Sequence, residues 1–83
     1  MMRRKSSGGN MRFARRFRGD FSGFSEAAAG NLLGYSGEYV GALKDGDVVF
    51  TPEIIRHLAD RTPEKLAGFW KKVVADYDKY GEP

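Results

Sequence analysis

The chain has no cysteine, which excludes disulfides and thiolate metal sites and fits a reducing compartment. It has no apolar run near the roughly 18 residues that a membrane span needs. No apolar stretch follows the basic N-terminus as it would in a signal peptide. These absences lead us to expect a soluble, cytoplasmic protein with no membrane partner. Acid is missing from one end. Residues 1–18 hold Arg3, Arg4, Lys5, Arg12, Arg15, Arg16 and Arg18 without an Asp or Glu, a charge of +7, whereas the remainder balances seven basic against eleven acidic residues, a charge of −4. The net charge of +3 therefore describes a basic arm attached to an acidic domain.

Catalytic and cofactor signatures are absent as well. The glycines at 34, 37 and 41 fit neither a dinucleotide fingerprint nor a P-loop, and no Gly-Lys-Ser or Gly-Lys-Thr follows them. Asp45-Gly46-Asp47 is too short for a calcium loop and reads as a helix stop. The single histidine, His57, has no serine or acid fixed beside it by a motif, so it is expected to face solvent. Arg18-Gly19-Asp20 matches an adhesion tripeptide, a chance match in a chain of this kind. We expect no enzyme activity, no cofactor and no metal. At 83 residues there is room for one domain and little room for a large cleft.

What is present is a series of helix signals. Residues 1–11 are polar and glycine-serine rich, so they are expected to form a disordered basic arm, followed by a domain over 12–80 and a tail at 81–83. Met11 is a second candidate start, because codons for Gly8, Gly9 and Asn10 can spell a ribosome-binding sequence before it. Over Arg12–Arg18, Phe13, Ala14 and Phe17 mark one face of a short helix whose other face is arginine, ended by Gly19 and Asp20. Ser25 caps a second helix over Glu26–Leu33, with Ala29, Leu32 and Leu33 pointing inward and Gly34 ending it. Ser36 caps a third with Tyr39, Val40 and Leu43 at helical spacing, closed by Gly46.

Two tripeptides, Thr51-Pro52-Glu53 and Thr62-Pro63-Glu64, each combine a hydroxyl cap, a first-turn proline and an acid, which predicts two further helices. The first buries Ile54, Ile55, Leu58 and Ala59, and the second Leu66, Phe69, Trp70, Val73, Val74 and Tyr77. Val48-Val49-Phe50 reads as a short strand or as a loop whose side chains plug the core. The expected fold is thus all-α, a small five-helix bundle. The phenylalanines interleaved with arginine at 13, 17, 21 and 24 would suit stacking on single-stranded nucleic acid, but a small core claims at least Phe13, Phe17 and Phe24 first.

Ala29-Gly30, the turn Leu33-Gly34-Tyr35-Ser36, the pair Val40 and Leu43, and the closing Gly46 carry a specific likeness. In these residues the stretch from Arg12 to Asp60 resembles the Cro and phage-repressor helix-turn-helix family. The resemblance implies a small phage-type regulator of transcription whose second motif helix meets its target through Gly37, Glu38, Gly41, Ala42 and Asp45. None of these is an Arg, Lys, Gln or Asn of the kind that pairs with base edges. Two uses of the face follow. One is a protein-binding platform, with Tyr35, Gly37, Glu38, Tyr39, Gly41 and Ala42 docking on host RNA polymerase or an associated factor, as inhibitor or antiterminator. The other is a sequence-specific repressor of the Cro type. In either, Arg12, Arg15, Arg16 and Arg18 contact nucleic acid or an acidic partner. A homodimer through the last helix, a toxin-antitoxin role and inhibition of a host defence complex are further expectations compatible with such a fold.

Overall fold

Three local caps set most of the chain's course in the computed structural model, which describes residues 8–81. Five helices follow one another among them: α1 (Gly8–Asp20), α2 (Glu26–Leu33), α3 (Gly37–Asp45), α4 (Pro52–Arg61) and α5 (Gly68–Tyr80). The hydroxyls of Ser25, Ser36 and Thr51 accept from the amides of Ala28, Tyr39 and Ile54, so each satisfies an otherwise orphaned donor at the start of α2, α3 and α4. Gly34 and Gly46 end α2 and α3 in the left-handed conformation.

Apart from His57, the chain departs from its sequence-based expectations at three places. Helix α1 begins at Gly8, earlier than Arg12, and so takes in the last residues expected in the disordered arm. Residues 1–7 and 82–83, the rest of that arm and the end of the tail, lie outside the described residues. At Val48-Val49-Phe50 the second of the two expected forms is found, a loop whose Phe50 plugs the core while Val49 is exposed. Leu32 does not point inward and is also exposed. The third departure is the second Thr-Pro-Glu. Thr62 closes α4, its amide bonding to the Leu58 carbonyl, and residues 63–67 form a turn in which Leu66 and Ala67 bond back to Pro63 and Glu64.

A contrast between the two threonines follows. Thr51→Ala should lower stability by about 1 kcal/mol through the lost cap. Thr62 is buried, yet its hydroxyl has no hydrogen-bond partner among the described residues. Thr62→Val should be neutral or stabilising, because it removes a desolvated hydroxyl and keeps the shape. Urea unfolding of both variants checks this; equal losses would contradict it.

The core joins an aliphatic part, with Leu33, Val40, Leu43, Ile55 and Leu58, to an aromatic layer. Helix α2 packs on α3 and α4, α1 on α3, and α4 on α5. Between α1 and α5 large side chains fill the gap: Phe13 lies 6.1 Å from both Phe50 and Trp70, and Phe50 stacks on Trp70 at 5.9 Å with the planes 5° apart. Phe17 and Phe21, fully buried, continue the layer toward Phe24. Phe50 comes from the α3–α4 loop, so that loop is held by its own core residue. None of the described helices is long and apolar enough to cross a membrane.

Candidate functional site

Helix α1 presents its arginines in two different states. Arg12, Arg15 and Arg18 are exposed and have no carboxylate partner among the described residues. Arg16 is tied down: its Nε forms an ion pair with Asp20 Oδ1 at 3.2 Å and its guanidinium carbon sits 4.9 Å from the centre of the Phe69 ring. Asp20 is itself anchored, since its other oxygen accepts the Trp70 indole N–H at 3.1 Å. An open groove of about 480 Å³ results, lined by Arg12, Arg15, Arg16, Gly19, Asp20 and Phe69. The i,i+4 spacing of Arg16 and Asp20 is visible in the sequence. The closure onto Trp70 and Phe69, fifty residues away, is not.

The second face belongs to α3 and the start of α2. Glu38 and Asp45 are exposed, Ala42 and Tyr39 half-buried. Gly37 and Gly41 are also half-buried, and both turn toward the first turn of α2. A Cβ at Gly41 would lie 3.1 Å from Glu26 Oε1, so the glycine makes room for that carboxylate. At Gly37 the neighbours are the backbone atoms of Ala27 and Glu26, at 3.6–3.7 Å. The glycines that give this face its small profile thus have a packing role within the α2–α3 pair.

Acids occupy both helix starts. Glu26 stands in the first turn of α2 and Glu38 in the first turn of α3, where each complements the positive end of its own helix dipole. The same positions are where a phosphate would otherwise be welcomed. Glu26, Glu38 and Asp45 give the α2–α3 face a negative surface, while the exposed arginines stand on α1 and, at Arg56 and Arg61, on α4.

An aromatic knot backs this face. Tyr35 packs on Tyr39 at 4.7 Å, edge to face, and stacks on His57 at 4.7 Å. The expectation that His57 faces solvent is overturned: the ring is half-buried and its Nε2 bonds to the Leu33 carbonyl. A carbonyl only accepts, so Nε2 carries the hydrogen. His57 thereby satisfies a carbonyl at the end of α2 and fixes α4 against the turn. No spacing in the sequence announces this contact.

Burial, with the neighbouring Tyr39 as a second cause, raises the Tyr35 phenol from 10.0 to about 12. Its ionised form is disfavoured in the fold, so the contribution of Tyr35 to stability is present below pH 10 and is lost as pH rises through 12. Phenolate absorbance against pH should show a late step that Tyr35→Phe removes. Loss of absorbance near pH 10 in the variant, with the late step kept, would mean that Tyr35 ionises like a solvated phenol.

Compared with known proteins, the chain matches no family model, no curated protein and no solved structure.

Proposed function

We propose that the protein is a small phage-type regulator of transcription that docks on the host transcription machinery through the α2–α3 face while α1 contacts nucleic acid. The observation that supports this most directly is the separation of charge between the two faces. Glu38 and Asp45 are exposed on α3, the Glu26 carboxylate rests against Gly41, and no base-reading side chain stands among them. A duplex set against this face would bring its phosphates to three carboxylates. A basic protein surface would not suffer that repulsion, and Tyr39 with Ala42 offers it a half-buried, close-fitting centre. The proposed partner is RNA polymerase or a factor bound to it.

The alternative is a Cro-type repressor, and one observation favours it. Helices α2 and α3 pack directly, joined by the short turn at Gly34, and exposed arginines lie on the adjoining α1. One experiment separates the two. The full chain is titrated with random duplex DNA over a range of salt and, in parallel, used to capture purified RNA polymerase. Docking predicts capture, weak duplex binding at moderate salt, and loss of capture by about tenfold or more in Glu38→Lys, the scale of a removed interfacial charge pair. A repressor predicts tight duplex binding that Glu38→Lys strengthens, with no capture.

A further inference from the structure

The α1 groove differs from a patch of solvated charge because one of its arginines is fixed in place. We infer that it is a site for single-stranded nucleic acid, in which an unpaired base stacks on the Arg16 guanidinium and flanking phosphates are held by Arg12 and Arg15. This rests on the reading of α1 as a nucleic-acid contact and narrows its ligand.

Three features carry it. Arg16 is held on one side by the Phe69 ring at 4.9 Å and along its edge by Asp20 at 3.2 Å, while its side chain remains 48% exposed. Asp20 is only 10% exposed and is bonded to Trp70 of the core, so the platform is fixed before a ligand arrives. A guanidinium plane is a recognised stacking surface for a splayed-out base. Arg12 and Arg15 lie three residues apart and Arg12 and Arg16 four, which puts all three on one side of the helix within about 6 Å steps. At the far end, a Cβ on Gly19 would meet nothing within 4 Å, leaving the backbone open to approach.

The phenylalanines that alternate with arginine in the sequence are not available for stacking. Phe17 and Phe21 are fully buried, and Phe13 and Phe24 are packed against the core. Arg16 on Phe69 takes that place. A duplex keeps its bases stacked on each other and offers only phosphates, which would use Arg12 and Arg15, leave the platform empty, and approach Asp20. An acidic peptide has the same defect and no π-face for Arg16.

The test is fluorescence anisotropy with the full chain against labelled oligo-dT, oligo-rU and a duplex of equal length, with polyglutamate as competitor, at several salt concentrations. Both single strands should bind more tightly than the duplex. Arg16→Lys keeps the charge and the i,i+4 pairing with Asp20 but removes the plane, and should weaken single-strand binding by about tenfold, on the scale of one base stack, with the salt slope unchanged. Arg15→Gln should instead lower the slope by about 0.7, one phosphate contact on a single strand. Circular dichroism establishes that both variants are folded. Preference for oligo-rU assigns the site to a transcript, and preference for oligo-dT to a melted DNA strand; either supports the inference. Wild-type affinity in Arg16→Lys, equal binding of the duplex, or displacement of the strand by polyglutamate at equal charge would overturn it. Such an outcome with polymerase still captured leaves the docking function standing, whereas single-strand binding without capture overturns docking alone.

Discussion

Trp70→Ala is expected to lower the melting temperature by about 20–30 °C and to leave much of the chain unfolded at physiological temperature. Trp70 is the largest fully buried side chain. It stacks on Phe50 from the α3–α4 loop, meets Phe13 of α1, and packs edge-on to Phe69 at 4.9 Å. No backbone pair of α1 and α5 comes close, so the cavity left by the indole cannot be closed by a small shift of neighbouring helices. Truncation of a buried Trp costs about 3–5 kcal/mol. A domain of this size has a total stability of about 4–12 kcal/mol. The loss is therefore a large fraction of the whole. Asp20 also loses its indole donor, which loosens the anchor of Arg16. Trp70→Phe keeps most of the packing and removes mainly the N–H, so its cost should be nearer 1–3 kcal/mol, about that of a buried acceptor left short of a partner. Thermal unfolding of the two variants measures both terms. A fall of less than about 10 °C for the alanine variant would mean that the aromatic layer re-forms without its centre.

The same layer explains where the sequence was legible. Helices α2, α3 and α4 could be bounded closely because their limits are local: Ser25, Ser36 and Thr51 cap the starts, and Gly34 and Gly46 close two ends. Each signal acts over three or four residues, which is the range that a linear reading sees. The Thr-Pro-Glu at 62–64 carries the same local signal as that at 51–53 with a different outcome. The amide of Thr62 closes α4 on the Leu58 carbonyl, its hydroxyl caps no amide, and the chain turns for five more residues before α5 begins at Gly68. Preceding context, rather than the tripeptide, decides.

At the candidate sites, position was readable and state was not. The arginines of α1 and the acids of α3 follow from composition and helical spacing. That Arg16 differs from Arg12 and Arg15 depends on Asp20 meeting Trp70 across the core. That Gly41 is small for the sake of Glu26, and that His57 ties α4 to the end of α2, are likewise tertiary facts. A surface reading of α3 takes its glycines as room for a partner. The fold gives part of that room to the chain's own α2.

Gly30→Ala should destabilise the protein by about 2 kcal/mol or more, the reverse of what helix propensity predicts. Within an exposed helix the same change gains about 1 kcal/mol. Gly30, however, is buried in α2 where the turn folds back over it: the amides of Gly34 and Tyr35 both bond to its carbonyl, at 2.8 and 2.9 Å. An added Cβ would lie 2.5 Å from the Tyr35 carbonyl oxygen and 3.3 Å from the Gly37 amide nitrogen, and both are backbone atoms that cannot swing aside. Relief requires α3 to move away from α2 as a unit, which would pull Tyr35 from His57 and Val40 from the core. Two other glycines serve as controls. Gly19→Ala, with open space at its Cβ, should stabilise α1 by up to about 1 kcal/mol. Gly41→Ala meets only the mobile end of Glu26 and should change stability little. Its effect should instead appear in partner binding, because it displaces the carboxylate on the proposed docking face. Chemical unfolding of the three variants orders them. If Gly30→Ala were as stable as Gly19→Ala, the close approach of α2 and α3 would not exist in solution, and the α2–α3 face could not be the docking surface described above.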